Sequence, residues 1–222
     1  MSRSTRRGRP PKSDGRDVRG EILEAALRLF ARQGYAATTV RQIADAIGVT
    51  SPALYAHFAS KQEIYAELMR QGGPPVASAV IDALDTGDGD PRELLTGAAL
   101  AVWDAWDTER QRRFLGVALR EGLGTNEGQM PQIAAAVDEV TQRLGPILDS
   151  WTASGIARTQ PVDGRHLAFE LFGMVALIRI LYLNEASGPA QRAHGRELVM
   201  RHLRFFLDTV LPDTAEPARR ST

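Results

Sequence analysis

There is no cysteine in this chain of 222 residues, so disulfides and thiolate metal sites are excluded. Histidine is scarce too, and none of the four stands at metal-ligand spacing. A nucleophile elbow and a glycine-rich phosphate loop are missing, and the carboxylates read as helix-surface charges. With these signatures gone, neither an enzyme nor a cofactor is expected. The longest apolar run, Leu171 to Leu183, is interrupted by Arg179 and is too short to span a bilayer. The N-terminus opens with charges and no apolar stretch follows, so no signal peptide and no membrane partner are expected, and the expected location is cytoplasmic. Strand-like alternation is missing throughout, which leaves an all-α fold.

Net charge is zero as well, with 27 Lys and Arg against 27 Asp and Glu, but it is unevenly spread. Residues 1–61 hold eleven basic and five acidic side chains, a net of +6, and the remainder carries −6. A basic end on an acidic body suits a chain whose one end meets phosphate. Residues 1–16 are rich in Arg, Ser, Gly and Pro and are expected to be a disordered basic arm. Within it, Arg7-Gly8-Arg9-Pro10 has the look of an AT-hook core, in which glycine lets the backbone approach a groove floor and arginines enter a narrow A·T minor groove. A generic phosphate-tracking arm accounts for the same residues, and the sequence leaves both readings open.

Order is expected from Asp17, an N-cap, with Val18, Ile22, Ala26, Leu29 and Phe30 at helical spacing and Gly34 as the stop. Thr39 opens a second helix, and Gln42 stands at the capping-box position. Val40, Ile43 and Ile47 form its buried stripe. Gly48 can turn the chain, Thr50 or Ser51 caps a short third helix with Pro52 in its first turn, and Leu54 and Phe58 face inward. Ser60 and Glu63 begin a fourth helix over 61–71. Further helices are expected at 76–85, 91–107, 109–122, 131–153, 164–185 and 190–210, with a disordered tail over 213–222. Domain limits follow: an arm to 16, a DNA-binding domain over 17–62 and a helical domain over 63–212.

Two short helices joined by a glycine-containing turn are the geometry that lays the second helix in a major groove. A plain helical hairpin has the same pattern, and in it Tyr55 and His57 are surface residues only. The phrase A-x-x-L-F-x-x-x-G-Y-x-x-T-T-V at 26–40, then I-A-x-x-x-G-V at 43–49 and L-Y-x-H-F-x-x-K at 54–61, closely resemble the N-terminal domain of TetR-family regulators. The resemblance is near gapless over 21–69; beyond that only helix number and length are similar. It implies a homodimeric repressor, bound to double-stranded operator DNA, that releases it when a small molecule occupies the C-terminal domain. An effector-independent or activating regulator is the alternative. It further implies that Thr39 meets a phosphate, that Thr50, Ser51 and Pro52 approach bases, and that Tyr55, His57 and Lys61 contact phosphate, with Arg41 a further contact. Ser51 and Ala56 stand where many relatives carry longer side chains, so specificity leans on DNA shape and on the arm.

Trp103, Trp106, Phe114, Trp151, Phe169 and Phe172 all lie beyond the DNA-binding part. They are the candidate lining of an effector pocket, which would then take an apolar or aromatic compound. Core filling explains the same aromatics, and the sequence does not separate the two. Glu121, His166, Glu170 and Arg179 are the polar residues nearest to apolar surroundings. Helices 164–185 and 190–210 are apolar over more than one face, as in a buried core or a four-helix dimer interface; the family resemblance favours the interface.

Overall fold

The computed structural model describes residues 16–72, 81–82, 89–124, 130–158 and 161–212. Arg7, Arg9, most of the expected helix at 76–85 and the tail after Pro212 lie outside the described residues. Within them the chain is helical and contains no strand. The helices are α1 (Val18–Gln33), α2 (Val40–Ala46), α3 (Ser51–Tyr55), α4 (Lys61–Gly72), α5 (Pro91–Trp106), α6 (Glu109–Gly124), α7 (Met130–Ala153), α8 (Gly164–Tyr182) and α9 (Pro189–Val210).

The helix starts obey local chemistry. Asp17, Asp90 and Asp163 each accept a backbone N–H of the first turn, from Gly20, Arg92 and His166 respectively. At the other end of α1, Gly34 takes φ +85° and its N–H closes on Phe30 O at 2.8 Å. The expected extension of α8 to 185 does not form. Leu183 leaves the helix, and the Asn184 amide donates to Ile180 O and Leu181 O, giving the last carbonyls a side-chain partner in place of another turn.

Two apolar cores result. The first gathers Ile22, Ala26 and Phe30 of α1, Ile43 of α2, Leu54 and Phe58 from α3 and its exit, and Ile64 and Leu68 of α4. Phe114, Val117 and Ala118 of α6 complete it. The core therefore runs on through α4 and into α6, past the expected domain limit at 62. At this junction Gly72 stands so close to the Phe114 ring that a methyl group there would overlap it. The second core lies between α5, α7, α8 and α9, with Trp103, Trp106, Leu144, Leu148, Ala168, Val175, Leu203 and Phe206 among its members. Close approach of α7 to α8 needs Gly164, whose missing side chain would meet the Gly145 carbonyl.

α6 is tied to the elements of the first core by polar contacts as well. Arg110 pairs with Glu24 of α1 and donates to Gln71 of α4 at 3.2 Å. Arg120 donates to Ala31 O at 2.8 Å, and Glu121 accepts the Tyr35 N–H at 3.1 Å.

Candidate nucleic-acid interface

The helix-turn-helix is built from short-range pieces. Thr39 accepts the Gln42 N–H at 3.2 Å while Gln42 Oε1 accepts the Thr39 N–H at 2.8 Å, so the expected capping box is formed. α2 closes with Ile47 and Gly48 N–H groups turned back on Ala44 O and Asp45 O, and Gly48 takes φ +71°, which a side chain would strain. Thr50 caps α3 by accepting the Ala53 N–H at 3.4 Å, with Pro52 in the first turn. Ser60 Oγ caps α4 through the Glu63 N–H, while the Glu63 carboxylate accepts from Ala59 instead of from Ser60.

A five-residue helix cannot stand by itself. Leu54 and Phe58 bury completely beneath it. From α1, Arg19 donates to His57 O at 3.0 Å and lays its guanidinium 4.2 Å over the Phe58 ring. Arg16 Nη2 donates to Ile47 O at 2.8 Å and pairs with Glu21. These two arginines count toward the basic charge of the N-terminal part, yet they serve as struts between α1 and the turn–helix unit. No sequence spacing announces this, because their carbonyl partners are 31 and 38 residues away.

What remains outside is one face. Thr39, Arg41, Thr50, Pro52 and His57 are exposed, Ser51 is half-buried, and Tyr55 shows 51 % of its surface. Arg41 is held only loosely, 3.7 Å from Asp45, in a pair exposed on both sides. The face thus offers hydroxyls, a phenol, an imidazole and one reachable guanidinium. Lys61 is placed differently from the rest. Its Nζ donates to Tyr35 O at 2.6 Å and to Thr38 O at 2.7 Å, and lies 4.2 Å over the Tyr35 ring. It clamps the loop between α1 and α2, next to the Tyr35–Tyr65 ring pair. Burial, then the charge of Glu121, pushes the Tyr65 phenol up to about 12.

The expected effector lining is dispersed. An apolar cavity of about 60 Å³ lies among α5, α7, α8 and α9, lined by Leu95, Ala98, Val102, Leu144, Leu171, Phe172 and their neighbours. Of the six aromatics expected to line a pocket, Phe172 lines this cavity, while Phe169 borders a separate open groove with Val137, Thr141 and His166. Trp106 meets Phe172 edge-on, ring centroids 6.3 Å apart, while Trp103 is buried in the core and Trp151 packs against it. Phe114 belongs to the other core, because the chain turns at Asp107 and carries α6 over to α1 and α4. Phe169 is 54 % exposed, on the face of α8 opposite to Leu167, Leu171, Val175 and Ile178. His166 and Glu170 lie on that outer surface too, 3.5 Å apart. Among the described residues no helix is long and apolar enough to cross a membrane, and no group of His, Asp or Glu could hold a metal ion.

Tyr55→Phe tests the exposed face with little structural disturbance. Loss of one phenolic hydrogen bond to phosphate should weaken specific and non-specific duplexes alike, by about 1 kcal/mol or roughly fivefold. Titration of both duplexes by fluorescence anisotropy checks this; an unchanged affinity would take Tyr55 off the interface.

Comparison with known proteins adds an independent finding. Residues 22–68 match the profile of bacterial regulatory proteins of the tetR family. The chain is 33 % identical over 107 residues to the HTH-type transcriptional regulator AcrR of Shigella flexneri, across 48 % of this chain and 50 % of that protein. It is 44 % identical over 87 residues to the HTH-type transcriptional repressor KstR2 of Mycobacterium tuberculosis, across 39 % of this chain and 43 % of that protein. The chain thus spans about half the length, or less, of these relatives. Among solved structures, SmeT, the repressor of the Stenotrophomonas maltophilia multidrug efflux pump SmeDEF, superposes with a TM-score of 0.70 at 23 % identity, covering 92 % of this chain and 96 % of that one. A SmeT–triclosan complex superposes with a TM-score of 0.74 at 21 % identity, covering 91 % and 95 %. At such identities the likeness is one of fold.

Proposed function

Since this chain belongs to the TetR family of bacterial regulatory proteins, we propose that it is a transcriptional repressor that binds operator DNA as a homodimer through α3 and releases it when a small apolar molecule occupies the C-terminal domain. The observation that carries this reading is the sharing of one core. Phe114, Val117 and Ala118 of α6 lie in the same apolar cluster as Leu54 and Phe58, which hold α3. A shift of α6 against α5 therefore cannot leave the recognition helix where it was, because close-packed side chains transmit displacement. KstR2 is named a repressor, and SmeT is known in complex with triclosan; both support the proposed mode of action. The dimer is supported by the apolar outer stripe of α8, with Phe169, Leu177 and Leu181 exposed, and by Phe205 on α9. The proposed contacts are Thr39, Arg41, Thr50, Ser51, Pro52, Tyr55 and His57 from the exposed face. Arg7 and Arg9 of the arm would follow the backbone or the minor groove. Lys61 acts by holding the α1–α2 loop in register.

Linkage gives the test. A ligand that lowers operator affinity must itself bind more weakly to the operator complex by the same factor, about 5–150-fold for a typical coupling of 1–3 kcal/mol. All three tryptophans lie in the C-terminal part, so indole fluorescence reports ligand binding with and without saturating DNA from the chain's own upstream intergenic region. A compound bound there with equal affinity in both titrations is not the effector. Failure of the free protein to shift that DNA in a gel would remove the reading as a whole.

A further inference from the structure

Among the described residues Arg179 has no carboxylate to answer it. The side chain is partly buried on α8, its guanidinium lies 4.2 Å over the Trp106 ring, and Nη2 donates to Gln111 Oε1 across a long 3.4 Å. The acids that flank Trp106 and Gln111 in sequence, and Glu185 beyond the end of α8, are engaged elsewhere. Asp107 is held by Arg112 and by Arg192, and Glu109 and Glu185 by Arg113. Among the described residues Arg179 makes no ion pair. Burial alone depresses its pKa, to about 10, so it stays protonated at neutral pH. A desolvated cation without an anion is a cost that folded chains seldom retain without a use for it.

The apolar cavity stops short of this cation, and Trp106 and Arg179 stand one helical turn beyond its lining. Leu95, Ala98, Ala99 and Val102 form its α5 wall, and Trp106 is the next residue on that face. Leu171, Phe172 and Val175 form its α8 wall, and Arg179 stands four residues beyond Val175, about 6 Å along the axis. Trp106 joins the two, with Phe172 at its edge and Arg179 over its face. We propose that Arg179 receives the carboxylate of the effector while an apolar chain or ring occupies the cavity, which makes the effector class small apolar monocarboxylates. This rests on the ligand-responsive reading above and narrows it. The cavity must widen as the ligand enters, since about 60 Å³ is well below the roughly 300–1,000 Å³ of ordinary ligand sites. A carboxylate here draws the guanidinium from Gln111. The neighbouring Arg110 is the residue tied to Glu24 of α1 and Gln71 of α4, so the disturbance starts beside the link to the DNA-binding helices.

The experiment compares straight-chain carboxylates from butanoate to decanoate with the alcohols of equal length, by tryptophan fluorescence on the full chain. A fork of charge-assisted hydrogen bonds should favour the best carboxylate over its alcohol about ten- to a hundredfold. Arg179→Met should erase that preference while leaving alcohol affinity within about twofold. It should also raise the thermal midpoint by a few degrees, because an unanswered charge is gone. Arg179→Lys, which keeps the charge without the planar fork, should retain part of the preference and serves if the Met variant fails to fold. Carboxylates and alcohols that bind alike, or a series in which nothing binds, would overturn the assignment. If alcohols release the operator as well as carboxylates do, the carboxylate site is refuted and the ligand-responsive reading survives. A carboxylate that binds through Arg179 without releasing operator does the reverse.

Discussion

Leu177→Glu combined with Leu181→Glu should yield a folded monomer that no longer binds the operator. These side chains are 47 % and 57 % exposed in the single chain, on the outer stripe of α8 that also carries Phe169, and Phe205 of α9 is 73 % exposed. Side chains of this size on one surface mark an association face. In a two-fold interface each protomer would bring both glutamates to the seam, where their carboxylates would lose water with no cation to answer them. Removal of an apolar partner and burial of unpaired carboxylates together exceed what a standard interface can absorb. The folded monomer survives because neither residue belongs to its core. Loss of the second reading head removes the avidity of two half-sites, expected to lie roughly one helical turn apart, and costs about 10²–10⁴ in operator affinity. Sedimentation, circular dichroism and gel shift together decide the matter: a dimeric double variant, or a monomeric natural protein, sinks the interface. Phe206 is the wrong target on the neighbouring helix. At 6 % exposure it lies inside the chain's own core, and a charge there unfolds the domain.

Phe58→Ala should abolish DNA binding from within. The ring is 1 % exposed, fills the space beneath α3 and carries Arg19 on its face. Its truncation costs about 3–5 kcal/mol, out of the roughly 5–15 kcal/mol that holds a typical domain together. Two further supports fall with it, the cation–π contact and the anchor of the Arg19–His57 carbonyl bond. α3 has only five residues and no helical stability of its own, so it detaches before the second core unfolds. Urea unfolding should show an early transition by circular dichroism, while tryptophan emission, which reports the second core, changes later. A single late transition with operator affinity intact would show that Leu54 and the Thr50 cap suffice to hold α3. Tyr55→Ala is the matched control, since an exposed ring is removed from the same helix at little cost in stability.

Whatever depends on near neighbours could be read from the residues in order. Asp17, Thr39 and Thr50 cap the helices they were expected to cap, and Asp90 and Asp163 cap theirs by the same local bond, since a cap and its N–H partner are two or three residues apart. Leu54 and Phe58 were legible as inward-facing from helical periodicity alone. The motif over 26–61 was legible for the same reason. Its chemistry is a run of local turns, and the tetR-family match over 22–68 falls on the same stretch.

Side chains whose partners come from far along the chain had no such signal. Charge counting set Arg16, Arg19 and Lys61 among the basic residues of the N-terminal part, and folding brings them to carbonyls 23 to 38 residues away. Six aromatics of the C-terminal part were equivalent as a sequence. Packing separated them: Phe172 went to the cavity, Phe114 to the first core, Phe169 to the outer surface and the three indoles to the second core or its edge. Arg179 stood out in the sequence only as a charge within an apolar run. Its neighbours, Trp106 and Gln111, come from two other helices, and only the crossing of α5, α6 and α8 left it without an acid. Sequence by itself therefore determined the helices, their caps and the reading helix, because those follow from bonds and periodicities within a turn or two. The tertiary structure alone decided which charges are struts, which aromatics border the cavity and that the partly buried Arg179 meets no acid among the described residues, because each depends on a meeting of side chains that no local spacing encodes.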